Sequence, residues 1–264
     1  MNKKVSKFFL SVVILFLALF FFSCKSDIPQ SLKIMTYNIH RGQDADNNDR
    51  LMEMAVFIKE SGADIVGLEE VDSVCYRSGQ VDQARILAEY SGMYYTFVRH
   101  FAFQGGAYGQ ALLSKYPITE VKNNRLPVVT DIPGQTTAFL TARINVSDKK
   151  SFLTGVAHLD YRNAESRVKQ AEIINDIYTD SDIPGILLGD MNAEPDTWEI
   201  LIFKEKFQDT HPDDLLTFPD GMPVKKIDYI FVDKSEKIEV TEHKVIDVSF
   251  SDHLPVLATI KHYY

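Results

Sequence analysis

The chain is poor in cysteine: 264 residues carry two, Cys24 and Cys75. Cys75 alone lies downstream of the apolar leader, so the folded part has no internal disulfide to form and a hydrophobic core must carry its stability. Basic residues are also scarce. Lys and Arg total 28 against 37 Asp and Glu, a formal net charge of -9. Non-specific nucleic-acid binding rests on Lys and Arg neutralising phosphates. A chain this acidic, without Lys/Arg clusters, is poorly suited to it unless a local basic strip or bound cations offset the charge. Internal repeats and low-complexity tracts are missing too, so nothing divides the chain beyond residue 30 into more than one large domain.

The single long apolar run is Phe8 to Phe22, 15 residues. Lys3, Lys4 and Lys7 precede it and Ser23-Cys24 ends it. A spanning helix needs about 20 residues, so the pattern reads as a secretory signal. Cys24 directly after the run resembles the lipobox of bacterial lipoproteins, although Phe21 and Phe22 stand where that pattern usually has Leu-Ala. The resemblance implies a signal peptide over 1–23, a lipidated Cys24 with a short tether over 24–30, and a catalytic domain over 31–264. An uncleaved anchor, or an ordinary signal with a chance cysteine, is the alternative. Removing residues 1–23 takes three lysines and no acid, which moves the charge from -9 to -12. The expected location is the bacterial cell envelope, periplasmic or surface-exposed, with the membrane as a partner through Cys24.

The stretch Ile186 to Pro195, Ile-Leu-Leu-Gly-Asp-Met-Asn-Ala-Glu-Pro, organises the rest. It begins as a buried strand, and Gly189 and Pro195 end it. Extended backbone would put Asp190 and Asn192 on one side of the strand end. A carboxylate beside a carboxamide suits a hard cation or a water held near a phosphate; a strand followed by an Asx turn looks the same.

The pattern recurs. Leu32–Asn38 reads as a strand ending in Asn38 and His40, and Asp64–Leu68 as one ending in Glu69-Glu70. Arg50–Ser61 has helical spacing with Gly62 as its stop. Arg77-Ser78-Gly79 is either a plain loop or a loop whose Arg77 reaches a phosphate. Tyr94–Val98 and Ala111–Ser114 read as strands around a hairpin at Gly105-Gly106. Phe101 and Phe103 between them are either a substrate or lipid rim or partly buried. Thr137–Val146 and Ser151–Ala157 read as an antiparallel pair ending in His158. Helices are expected over Ala164–Tyr178, with Arg167 and Gln170 facing solvent, and over Thr197–Phe203. Asp228 lies inside the apolar strand Ile227–Val232, where a charge is costly unless paired. The imidazole of His253, in Ser251-Asp252-His253-Leu254, would suit it and gain a fixed tautomer. Asp252 is then left for a metal or a water.

Six motifs in order, Tyr-Asn-Ile-His, Gly-Leu-Glu-Glu-Val, Ala-His-Leu-Asp, Leu-Gly-Asp-Met-Asn-Ala, Ile-Asp-Tyr-Ile-Phe and Ser-Asp-His-Leu-Pro, resemble the endonuclease/exonuclease/phosphatase superfamily. The resemblance covers residues 32–260. It implies an α/β (α+β) DNase I-like fold, a four-layer sandwich of two packed mixed β-sheets flanked by helices. It also implies Mg²⁺ or Mn²⁺ at Glu70, with Asn38 and Asp252. His158 would donate to a phosphate oxygen, and Asp190 would orient or deprotonate water. Asn192 would bind water or phosphate, and His253, oriented by Asp228, would be the alternative base or the charge stabiliser. The family usually has Gln where this chain has Glu69. Arg77 and Tyr108 resemble substrate-side features of an exported bacterial subgroup. The expected activity is hydrolysis of a small or lipid-linked phosphoester by a monomer. A secreted nuclease is the runner-up, with nucleic acid as a less favoured partner, and a catalytically silent binding lipoprotein is the third reading.

Overall fold

Alternating and continuous apolar runs build two six-stranded sheets that close face to face. The computed structural model describes residues 30–130 and 134–262. The leader, Cys24 and the tether up to residue 29 lie outside them; Gln30, expected as the last tether residue, already belongs to the first strand. The first sheet holds β1 (Gln30–Asn38), β2 (Ile65–Ser73), β3 (Tyr94–Phe103), β4 (Gly106–Ser114), β11 (Ile238–Val245) and β12 (Val256–His262), in the order β11-β12-β1-β2-β4-β3. The second holds β5 (Ile118–Pro127), β6 (Thr136–Ser147), β7 (Lys150–His158), β8 (Gly185–Asp190), β9 (Phe207–Asp209) and β10 (Asp228–Asp233), in the order β5-β6-β7-β8-β10-β9. Helices α1 (Leu51–Ser61), α2 (Gln83–Ser91), α3 (Ala164–Thr179) and α4 (Trp198–Lys206) cover the outer faces. This is the four-layer sandwich of two packed mixed sheets that the motifs imply.

Each sheet has one parallel pair at its centre, β1 with β2 and β7 with β8. Parallel neighbours need a crossover, which α1 and α3 supply. The inner core interleaves Ile34, Ile65, Leu112, Leu140, Val156, Leu188 and Ile230. Met54, Ile58 and Leu87 of α1 and α2 pack on Met35, Val66 and Leu68. Ile174 and Tyr178 of α3 and Phe203 of α4 pack on Leu187 and Phe231. Strand β8 is buried along its whole length, which is why it reads as an unbroken apolar run.

Helix limits follow local chemistry. Asn163 Oδ1 accepts from the Glu165 and Ser166 amides at 2.8 and 3.3 Å and starts α3. Gly62, at φ +71°, ends α1. Two expectations fail on α3. Gln170 is fully buried, bonded to the Asp160 amide at 3.1 Å and the Pro127 carbonyl at 2.8 Å. Arg167 pairs with buried Glu199 and donates to the Asp160 carbonyl. The polar side chains face inward because they tie down the loops on either side of the site. Strands β2, β3 and β4 run farther than their apolar cores suggest, the hairpin turning at Gln104-Gly105. The mostly polar β5 and β11 carry no apolar signal, since they are exposed edges.

Just before β10, Lys226 Nζ is buried against Asp209, 2.6 Å away, with His211 beside it. Burial, then Lys226, pushes the His211 imidazole down to about 4. The unfolded chain takes up this proton below about pH 6.5 and the folded chain only near 4. This group therefore removes stability as pH falls through that window. The loss between pH 7 and 5 should be smaller in His211→Gln by up to about 2 kcal/mol, measured by urea unfolding; identical pH dependence in both proteins would contradict it.

Candidate active site

The carboxyl ends of β1, β2, β7 and β8 reach the same edge of the sandwich, and open sheets place ligands beyond such ends. Asn38, at the end of β1, is buried, and its Nδ2 donates to Asp190 Oδ2 at 3.1 Å and approaches Glu70 Oε1 at 3.4 Å. A bulge between Leu68 and Val71 separates the two glutamates of β2. Glu70 takes φ +58°, a conformation that side-chain-bearing residues hold at a cost, and turns toward the edge. Glu69 goes the other way, fully buried, and accepts from Thr36 Oγ1 at 3.1 Å. Burial first, then Asp228 and Asp190, drive its carboxyl well above the ordinary range. A protonated Glu69 resembles a glutamine in shape and charge, so the substitution leaves the floor neutral there.

Asp190 ends β8. The residue before it must be glycine: at Gly189 (φ +146°) a Cβ would lie 1.9 Å from the Ala157 carbonyl oxygen of β7. That close approach sets Asp190 beside His158, with Nε2 3.5 Å from Asp190 Oδ2. Asn192 departs from expectation. The strand stops at Asp190, and Asn192 adopts φ +48° in an Asx turn, its amide bonded to Asp190 Oδ1 at 2.8 Å and its Nδ2 to the Leu159 carbonyl at 3.1 Å. It braces Asp190 and the end of β7 instead of lying parallel to Asp190.

Asp228 opens β10 at 1 % exposure. His253 Nδ1 lies 3.1 Å from its Oδ2, and His253 Nε2 lies 3.7 Å from Asp190 Oδ2. Thr217 Oγ1 donates to the same Asp228 oxygen at 2.5 Å, and the Phe218 ring covers the imidazole at 4.7 Å between centroids. Ser251 Oγ donates to the Asn38 carbonyl at 2.7 Å, which joins this loop to β1. Asp252 is partly exposed, 3.8 Å from His40 Nδ1. Burial opposes a charge on His253, but Asp228, Asp190 and Asp252 outweigh it and lift the ring to about 10. Asp228 is itself pushed up by burial and Asp190, and held down by His253 and Thr217. The ring faces three carboxylates while Asp228 faces one cation, so the pair is a buried imidazolium and carboxylate.

Asp190, Asp228 and His253 offer ligand atoms within 4.8 Å of one another, but His253 Nδ1 is already committed to Asp228. Glu70 and Asp252 have no Lys or Arg partner among the described residues. Carboxylates of this kind suit a hard divalent cation; Asn38 turns its Nδ2 toward Glu70, while its Oδ1 accepts from the His40 amide at 3.1 Å.

A cavity of about 670 Å³ opens beside Glu70 and His158. Its walls include Arg77 and Tyr108. Arg77 is not a free loop cation: Nε and Nη2 hold the two oxygens of buried Asp72, each at 2.8 Å. Phe101, 45 % exposed, stacks on Tyr108 at 5.1 Å. Thr217, Ser251 and Phe218, which fix Asp228 and His253, carry no sequence signal of that role. His100, Arg125 and Asp160 line the cavity and were equally invisible, apart from Asp160 following His158 by two positions.

A model of the endonuclease/exonuclease/phosphatase family matches residues 35–253. No curated protein sequence matches the chain. Among solved structures, an endonuclease/exonuclease/phosphatase family protein from Bacteroides thetaiotaomicron is 19% identical over 89% of this chain and 99% of its own, with a TM-score of 0.72. A mannosyl-6-phosphatase of Bacteroides thetaiotaomicron is 19% identical over 87% and 99%, with a TM-score of 0.69. The human Nocturnin catalytic domain with bound sulfate anion is 21% identical over 90% and 96%, with a TM-score of 0.68. At these identities the likeness establishes a shared fold.

Proposed function

The chain belongs to the endonuclease/exonuclease/phosphatase family, whose members are generally metal-dependent hydrolases of phosphoesters, and we propose that it hydrolyses a small or lipid-linked phosphoester outside the cytoplasm with Mg²⁺ or Mn²⁺. The observation that carries this reading is the buried Asp228–His253–Asp190 cluster, joined through the Asn38 amide group to the Glu70 carboxylate.

The charges assign the roles. His253, held toward its protonated form by Asp228 and Asp190, offsets the charge that develops on the phosphoryl oxygens. Asp190 lies between two imidazoles and an amide donor, and it orients the attacking water and receives its proton. His158 Nε2, on the cavity side of Asp190, donates to a phosphoryl oxygen. Asn192 acts through Asp190, which its Asx turn holds in place, and is a positioning residue. Glu70, steadied by Asn38, and Asp252 are the groups that would hold a divalent cation, which would supply Lewis-acid charge to the phosphoryl group.

The net charge of -9 and the likeness to a mannosyl-6-phosphatase support a small phosphoester over polynucleotide. The signal-like leader ending at Cys24 supports lipid anchoring in the cell envelope; Cys24→Ala should then leave the pelleted membrane fraction, and a mutant that still pellets would point to an uncleaved helix.

The activity is tested with the full chain in detergent and added Mg²⁺ or Mn²⁺, on p-nitrophenyl phosphate, bis-p-nitrophenyl phosphate, sphingomyelin, inositol phosphates and plasmid DNA. Turnover of the small or lipid esters with intact plasmid is expected. His253→Ala and Asp190→Ala should each lower kcat by about 10²–10³. Plasmid cleavage that vanishes in both variants would establish the nuclease instead.

A further inference from the structure

The cavity beside Glu70 and His158 has a mixed lining that limits what it can hold. Three of the chain's nine arginines, Arg77, Arg125 and Arg162, lie on its walls. Each is already engaged. Arg77 is bound to Asp72 and lies 4.6 Å from the Phe103 ring centroid and 5.5 Å from that of Tyr108. Arg125 donates to the Arg99, His100 and Thr136 carbonyls and to Thr136 Oγ1. Arg162 lies over Tyr161. Asp160, on the same wall, accepts from the Arg162 amide through Oδ1, while its Oδ2 meets no donor among the described residues.

This composition excludes two kinds of leaving group. A quaternary ammonium headgroup is best held by several aromatic faces, and the Arg77 guanidinium already occupies those of Phe103 and Tyr108, which leaves Phe101. Such a headgroup would also meet three positive charges. A second strongly anionic group would meet Asp160 and Glu70, while Arg77 and Arg125 are committed to Asp72 and to backbone carbonyls. A neutral alcohol bearing several hydroxyls suits both signs, because each hydroxyl donates to a carboxylate oxygen and accepts from a guanidinium, imidazole or threonine. Phe101, exposed and stacked nearly parallel to Tyr108 with 30° between the planes, presents a flat apolar platform to the C–H face of a ring. The volume lies within the range of small-ligand pockets.

We propose that this cavity is the leaving-group subsite and takes a sugar ring, so that the substrate is a sugar phosphate, with Phe101, backed by Tyr108, under the ring and Asp160, His100, Thr136 and Arg162 on its hydroxyls. The proposal rests on the phosphoester-hydrolase reading. In the step it serves, water oxygen bonds to phosphorus, the bond from phosphorus to the sugar oxygen breaks, and a water proton ends on the departing sugar hydroxyl.

The test compares kcat/KM of the full chain with Mg²⁺ on hexose 1- and 6-phosphates, glycerol phosphate, phosphocholine, nucleoside monophosphates and p-nitrophenyl phosphate. At least a tenfold preference for one or more hexose phosphates over glycerol phosphate and phosphocholine is expected. Phe101→Ala and Asp160→Asn should each reduce that preference ratio at least fivefold, chiefly through KM. Hydrolysis of p-nitrophenyl phosphate without a hexose preference, a stronger preference for nucleotides or phosphocholine, or a ratio unmoved by both variants overturns the subsite while leaving the hydrolase reading intact. No hydrolysis of any ester overturns both.

Discussion

Burying carboxylates is the constraint on which the cleft depends. Glu69, Asp190 and Asp228 lie at 1 % exposure or less, in a region where an uncompensated charge costs several kcal/mol. One imidazole, His253, sits among them. The solution is unequal. Burial drives the Glu69 carboxyl well up, Asp228 is bonded by His253 and Thr217, and Asp190 is met by Asn38, His158 and His253. Removing the ring would leave two buried anions unpaired, so charge pairing and the chemistry of the site share the same atoms.

The two-sheet frame makes this arrangement possible. The parallel pairs β1–β2 and β7–β8 bring four strand ends to one edge, one pair from each sheet. The bulge at Glu69-Glu70 then sends one carboxyl down into the core and the other up to the edge. Gly189 lets β8 approach β7 closely enough for Asp190 to meet His158. Ser251 fastens the last loop to β1, and with it both Asp252 and His253. These fixed points are set by backbone, which keeps the donors in place ahead of any ligand and lowers the cost of ordering them.

Much of this was legible in the chain. A short apolar run followed by Asn, Glu, His or Asp marks a buried strand delivering a polar group to an edge, and that pattern located Asn38, Glu70, His158 and Asp190. Asp228 inside Ile-Asp-Tyr-Ile-Phe-Val signalled its need for a cation. Other features were not legible, for physical reasons. Period-2 reasoning assumes that the strand continues, and the Asx turn at Asn192 breaks that assumption. Arg77 looked free because nothing in the spacing shows that Asp72, five residues earlier, points inward. Gln170 and Arg167 looked exposed because polar residues on a helix usually are, whereas here they anchor loops. Thr217 and Ser251 act across long sequence separations, and the cavity is made by an edge hairpin whose polar strands carry little periodicity.

The central claim is that the carboxylate floor keeps His253 charged, which makes it a charge stabiliser and leaves Asp190 as the group that takes the proton from water. The direct measurement is an NMR titration of the His253 ring in metal-free protein, wild type against Asp228→Asn. The account predicts a wild-type ring that stays protonated well above pH 7, with a midpoint near 10, and a clear fall in that midpoint when the Asp228 charge is removed. A wild-type ring that titrates near the ordinary histidine value of about 6.5, unmoved by the substitution, would contradict it and make His253 the base.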